Sequence, residues 1–258
     1  MQQVDPRTKS RADVRRLFEA IAPRYDLMNR LLSAGFDARW RRRAVAAALD
    51  GLEHADVADL CCGTGDLALQ FARDRRVRRV VGVDFSSRMI RLARAKAESC
   101  GPASPTSFVA GDAMETPLRA ARFDVAAVAF GLRNLVDPAA GIREIGRLLR
   151  PGGRLLVLEF FAAGTGAKAA AFRFYFRHVL PRVGRLLSGA ASIDAYRYLP
   201  DSVAAFARTD EVMGWCAEAG FEGVRCEPML AGAVGLIQGR WSARPLRACE
   251  PAREACFA

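Results

Sequence analysis

Asp59-Leu60-Cys61-Cys62-Gly63-Thr64-Gly65-Asp66 decides how this sequence folds. Val57 to Cys61 reads as a buried strand, the glycines as a tight turn, and Leu67 to Arg73 as the helix that follows. A strand that passes through a glycine turn into a helix opens a doubly wound α/β sheet, whose ligands bind beyond the carboxyl ends of its strands. Gly63 to Ala68 also fits the loose pattern G-x-G-x-x-A, which enzymes using several nucleotide-like cofactors share.

The alternation continues downstream. Val80 to Val83, Phe108 to Ala110, Phe123 to Phe130 and Arg154 to Phe160 read as further apolar strands, with helices over Ser87 to Ser99 and around Ile142 to Leu149. Nearly continuous apolar strands separated by helices predict a parallel sheet covered on both faces. Glu211 to Ala219 reads as a last helix closed by Gly220, and Gly223 to Glu227 with Ala233 to Ile237 as an edge hairpin. The expected fold is α/β: a doubly wound, mostly parallel, seven-stranded Rossmann-like sheet in a single domain over residues 1–241. Residues 10–50 are expected as an N-terminal helical cover, residues 165–200 as a helical insertion or lid after strand five, and residues 242–258 as a disordered tail.

The acidic residues discriminate among cofactors. Asp59 and Asp66 flank the glycine loop, where a bound diphosphate would be repelled. Asp84 ends the second strand, with Phe85 beside it, and suits the two hydroxyls of a ribose. Asp112, ahead of Ala113, follows the third strand and suits an adenine amino group. Any one of these aspartates is explained by a turn or a helix cap. Together they favour a cationic, phosphate-free ligand held around Gly63, Thr64 and Gly65, which is S-adenosylmethionine.

The 258 residues carry a formal net charge of +11, and of 39 basic residues only Lys9, Lys96 and Lys168 are lysines. Residues 1–50 hold 11 basic against 6 acidic residues and residues 165–200 hold 6 against 1, a surplus of five in each. The charge thus sits on the two segments outside the strand–helix alternation. Without an RNP-type motif, zinc-finger spacing or lysine-rich tail, nucleic acid is not an expected partner. An anionic membrane face or plain solvent is the remaining reading. The seven cysteines lack framework spacing and no signal peptide is evident, so reduced thiols and a cytoplasmic location are expected. His54 and His178 lie far apart without a Cys/His cluster, so no metal site is expected.

Three longer segments narrow the function. They are Tyr25-Asp26-Leu27-Met28-Asn29 with Leu32-Ser33 and Trp40; Phe130-Gly131-Leu132-Arg133-Asn134; and Tyr196-Arg197-Tyr198-Leu199-Pro200-Asp201-Ser202. With Arg147 to Gly153 leading to Leu158-Glu159-Phe160, they make the chain resemble the UbiE/MenG C-methyltransferases of ubiquinone and menaquinone biosynthesis from about Val14 to Trp241. The resemblance implies a class I methyltransferase that methylates a ring carbon of a lipophilic prenylated hydroquinone. It places Thr64, Asp84, Asp112 and Ala113 on the cofactor. It makes Arg133 a candidate holder of the developing oxyanion and Asp26 a candidate base, with Tyr196 as a third catalytic candidate. Tyr25, Asn29, Asn134 and Arg197 are then candidate acceptor contacts.

Besides Cys62 for the loop's first glycine, a replacement the family tolerates, three departures stand against the family pattern: Asp37 for its histidine, Phe161 for a small polar residue and Ala129 for a frequent serine. They leave open a related methyltransferase with another phenolic or soluble acceptor. A non-catalytic partner in a quinone-biosynthesis complex is disfavoured by the intact glycine loop. In the basic insertion, Phe172, Phe174, Phe176 and Leu180 alternate with Arg173 and Arg177. That pattern suits a packed lid, a prenyl tunnel or peripheral contact at the inner face of the cytoplasmic membrane. A homodimer is compatible with the sequence.

Overall fold

The computed structural model describes residues 5–242 except 7, 34, 163–197 and 199. Helices α1 (Arg11–Ile21), α2 (Tyr25–Leu32) and α3 (Asp37–Ala48) precede the first strand. Then come β1 (Ala55–Leu60), α4 (Asp66–Ala72), β2 (Val77–Asp84), α5 (Ser87–Cys100), β3 (Thr106–Ala110), β4 (Phe123–Ala129), α6 (Pro138–Leu148) and β5 (Leu149–Phe160). Residues 200–205 are helical, and α7 (Thr209–Glu218), β6 (Phe221–Met229) and β7 (Val234–Trp241) close the fold.

Local chemistry sets the helix starts. Ser10 and Asp13 form a reciprocal capping box on α1, Ser86 accepts from the Met89 amide on α5, and Asp137 accepts from Ala140 on α6, with Pro138 in its first turn. Each such cap contributes about 1 kcal/mol by satisfying an otherwise orphaned amide.

The seven strands lie in the order β3-β2-β1-β4-β5-β7-β6. The first five run parallel, and β7 and β6 add antiparallel on the β5 side. The edge hairpin expected from the sequence is therefore this β6–β7 pair, longer at both ends than the turn residues suggested. β5 also begins earlier than expected, because Pro151-Gly152-Gly153 is absorbed into a register shift against β4.

Strand parity splits the core into two layers. Val57, Val125, Leu156 and Leu158 face α3, α4 and α5, while Ala58, Ala126, Leu155 and Val157 face α6 and α7. The cover helices join the first layer through Leu17, Ile21 and Trp40. At the amino edge of β1 the buried carboxylate of Asp56 is balanced by Arg78, Arg79 and Arg150. Among the described residues no helix is long and apolar enough to cross a membrane.

Candidate active site

Strand order reverses between β1 and β4, and beyond the carboxyl ends of β1, β2 and β4 lies a cavity of about 660 Å³, its open mouth included. Two unusual backbone positions shape it. Cys61, just past β1, has φ 54°, and Phe130, just past β4, has φ 57°. Left-handed backbone at a non-glycine residue costs roughly 1–2 kcal/mol and persists where the surroundings enforce it. What enforces it here is close approach: a Cβ on Gly131 would stand 2.4 Å from the Cβ of Cys61. Both strand ends thereby turn sharply away and open the space between them. In the glycine loop itself, Gly65 has φ +84° and presses against the Phe108 ring.

The cavity walls are aromatic and acidic. Phe18 and Phe85 meet edge to face with centroids 6.4 Å apart, and Tyr25, Met89 and Phe130 continue the lining. Asp84 accepts from the amides of Gly63 and Ser86, each at 2.9 Å. Burial nevertheless pushes its carboxyl up to about 6. Asp112 accepts from the Met114 amide at 2.9 Å and meets Arg11 of the N-terminal helix at 2.8 Å. Behind the loop, Asp59 is fully buried with neither oxygen accepting a hydrogen bond of normal geometry. Burial drives it up to about 8, with the Ala68 amide and Arg41 offsetting part of the effect.

Two aspartates of one strand thus differ in purpose. Asp56 is charge-balanced by three arginines, whereas Asp59 is left unpaired beneath the glycine loop. The acidic side chains that line the cavity are Asp84 and Asp112, acceptors suited to hydroxyl, amino or cationic groups, while Asp59 stands behind the loop without lining it. Only one arginine, Arg11, and no lysine lines the cavity among the described residues, and Arg11 is already paired. A nucleoside bearing positive charge and no phosphate fits these walls; a dinucleotide does not. Gly63, Asp84, Phe85, Asp112 and Ala113 are the predicted residues that line the cavity.

Thr64 and Gly65 support the loop from behind. The Thr64 hydroxyl donates to Asp26 at 2.5 Å and is buried. That contact also places Asp26, the expected base: its carboxylate is taken up by Thr64 and by Lys96 at 2.6 Å, and it does not line the cavity. Arg133, expected at the acceptor's oxyanion, is likewise placed elsewhere. Its guanidinium is buried, donates to Glu159 and to the Phe130 carbonyl at 2.6 Å each, and lies over the Phe160 ring at 5.7 Å. The apolar strand ends exclude water there, so the guanidinium needs a carboxylate of its own.

Tyr25 and Asn134 do reach the cavity. The Tyr25 hydroxyl is hydrogen-bonded to Asn29, and burial raises its pKa above the usual phenol range. Asn134 accepts from the Tyr198 hydroxyl at 3.3 Å. Tyr196 and Arg197 lie outside the described residues, as do most of the expected insertion and the tail after Ser242. Arg11, Phe18, Met89, Leu135 and Val136 line the cavity without having been singled out in the sequence. Arg11 and Phe18 lie on α1, and nothing local in the sequence marked that helix's position over the sheet.

The three departures from the family pattern sit away from the cavity. Asp37 is buried, accepting from Ser33 at 2.8 Å and from Arg41. Phe161 is buried against Phe206 and the backbone of Gly235, and Ala129 packs on the first core layer. Among the described residues no group of histidine, cysteine and acidic side chains is arranged to hold a metal.

Comparison with known proteins agrees with this geometry. The model of the ubiE/COQ5 methyltransferase family matches residues 5–240. The demethylmenaquinone methyltransferase of Thermus thermophilus is 45% identical over 223 residues, covering 86% of this chain and 99% of that protein. The ubiquinone/menaquinone biosynthesis C-methyltransferase UbiE of Syntrophotalea carbinolica is 45% identical over 229 residues, covering 88% and 93%. Among solved structures, a SAM-dependent methyltransferase of Thermotoga maritima superposes with a TM-score of 0.61 at 21% identity, over 88% of this chain and 99% of its own. The cyclase SpnF superposes with a TM-score of 0.59 at 19% identity, over 90% and 97%. A cyclase on the same scaffold means that the superpositions speak for the fold alone.

Proposed function

We propose, from the premise that this chain belongs to the ubiE/COQ5 methyltransferase family and is an S-adenosylmethionine-dependent methyltransferase, that it methylates a ring carbon of a prenylated hydroquinone. The observation that carries the proposal is a convergence. Tyr25 of one family-specific segment and Phe130, Gly131 and Asn134 of another, about a hundred residues apart, line the same cavity as Gly63, Asp84 and Asp112.

S-adenosylmethionine supplies an electrophilic methyl group on a sulfonium centre. Gly63, Asp84, Phe85, Asp112 and Ala113 would hold it. On the acceptor, one phenol proton leaves so that charge reaches the ring carbon; that carbon gains the methyl group, and its own proton then leaves to restore the aromatic ring. The chain's part is to align the two reactants and keep water out. Phe18, Tyr25 and Phe130 form the dry wall. Glu159 fixes Arg133, Arg133 fixes the Phe130 carbonyl, and together they set the loop that carries Asn134. Asp26 acts one step back, through Thr64. Tyr196 and Arg197 are proposed as further acceptor contacts on the strength of the family motif.

A prenylated acceptor resides in a membrane. We assign the enzyme to the cytoplasm, in peripheral contact with the inner face of the cytoplasmic membrane, with the basic segments toward that face. Both demethylmenaquinol and the 2-polyprenyl-6-methoxy-1,4-benzoquinol intermediate of ubiquinone synthesis fit the same ring chemistry. The quinone profile of a strain lacking this gene, read by mass spectrometry, decides between them. Accumulated demethylmenaquinone or accumulated demethyl-ubiquinone precursor identifies the acceptor, and an unchanged profile overturns the proposal in favour of a soluble phenolic acceptor.

A further inference from the structure

Lysine is the rare cation here, three residues among 39 basic ones. Lys9 and Lys96 each bind a residue that frames the cavity without lining it themselves. The Lys9 ammonium donates to the carbonyl of Arg133, and Lys96 lies behind the glycine loop. The surroundings of Lys96 explain why arginine does not serve there. Its ammonium has three acceptors on three elements: Asp26 of α2 at 2.6 Å, Asp66 at the start of α4 at 2.7 Å, and the Thr64 hydroxyl at 3.0 Å. An ammonium turns its three N–H bonds toward acceptors ringed around one point, whereas a guanidinium holds its donors in one plane. Thr64 closes the ring by donating to Asp26 at 2.5 Å.

We propose that Lys96 is a positioning residue whose caged ammonium locks the cover helix α2 to the glycine loop, so that the cofactor loop and the acceptor wall are set as one unit. Asp26 follows Tyr25 in the first turn of α2, and the Tyr25 ring lies over the loop: a Cβ on Gly63 would stand 3.4 Å from its Cε1. Moving Asp26 therefore moves an aromatic wall of the cavity, and moving Thr64 moves the loop that holds the cofactor. Charge supports the arrangement, because Asp26 and Asp66 would repel each other without the ammonium between them. Arg41, 3.6 Å from Asp66, is already engaged by Asp37. The inference depends on the cofactor and not on which ring is methylated, so an error in the acceptor leaves it standing.

The test uses the full chain with Lys96→Met, Lys96→Arg, Asp26→Asn and the Lys96→Met/Asp26→Asn double variant. Hydrogen exchange of the amides in residues 25–32 is followed with and without S-adenosylmethionine, and cofactor affinity is measured by calorimetry. In the unaltered chain the cofactor should slow exchange across that helix. Lys96→Met should abolish the slowing and weaken cofactor binding about tenfold, the size expected for losing hydrogen bonds to a charged group. Lys96→Arg should fail to restore either, and the double variant should be no worse than Lys96→Met alone. Unchanged slow exchange in β4 checks the fold; should Lys96→Met not fold, Asp26→Asn must by itself abolish the slowing. Slowing that survives in Lys96→Met or, failing that, in Asp26→Asn, full rescue by arginine, or additive losses in the double variant would each overturn the proposal.

Discussion

Arg133 Nη1 lies 2.6 Å from Glu159 Oε1 with both side chains buried, so the guanidinium expected at the substrate spends its charge on the frame of the site. Glu159 also accepts from the amides of Arg133 and Phe160, at 3.2 and 2.7 Å. One carboxylate thus holds the loop after β4 at two points, both on Arg133. Removing one partner of a buried ion pair costs about 3–5 kcal/mol, whereas replacing both by apolar groups of similar volume costs far less. Arg133→Met and Glu159→Leu should each lower unfolding free energy by roughly that amount. Urea denaturation should show the double variant more stable than either single one. A double variant as weak as the sum of its parts would mean that the two side chains act separately.

The strain at Cys61 gives a second expectation. At φ 54° it sits where glycine is at ease, so Cys61→Gly should stabilise the chain by about 1 kcal/mol. Gly131→Ala should destabilise it by roughly 1–3 kcal/mol through overpacking against the Cys61 Cβ. The two changes together should recover most of that loss, because the atom in the way is gone. Thermal melts of the three variants check the ordering.

Burial of Asp84 and Asp59 predicts that cofactor binding releases protons. Their carboxyls are held at about 6 and about 8 against an ordinary value of 3.8. Both therefore keep a proton in the folded chain at pH values where the unfolded chain has lost it. Their contribution to stability is fully present below about pH 4 and falls as pH rises through about 6 and then about 8. A cationic ligand favours the ionised forms, so binding at pH 7 should expel up to about one proton, and fewer by pH 9. Calorimetry in buffers of different ionisation enthalpy measures that number. Buffer-independent heats at pH 7 would contradict it.

Phe161 separates packing from substrate choice. It is buried against Phe206 and Gly235, away from the cavity. Phe161→Ser, which restores the small polar residue usual in the family, should cost about 3–5 kcal/mol of stability. The KM for the acceptor should stay within about twofold, less than one hydrogen bond's worth. A large KM change in a folded variant would make this position part of the acceptor site.

The sheet was legible because each of its signals is local. Apolar runs of strand length and the Gly63–Gly65 turn depend on neighbours in sequence. The placing of Asp84 and Asp112 at the cavity was legible for the same reason, since a strand end and its loop fix where they stand. What the sequence could not convey was which groups are already taken. Asp26 and Arg133 look like free catalytic groups until Thr64, Lys96 and Glu159, 26 to 70 residues away, are seen to occupy them. Arg11 and Phe18 were missed because a helix ahead of the sheet carries no mark of the edge it will cover.

Transfer of a labelled methyl group shows directly whether the enzyme methylates a prenylated ring on carbon. The purified enzyme is given S-adenosylmethionine carrying a 13C methyl group together with demethylmenaquinol or the polyprenyl benzoquinol in lipid vesicles. The same reaction is run with a tail-less soluble phenol. The expected product carries the labelled carbon on a ring carbon, as NMR of the extracted quinone resolves, with little turnover of the soluble phenol. A label on oxygen, or efficient methylation of the soluble phenol with none on the prenylated ring, would contradict that expectation.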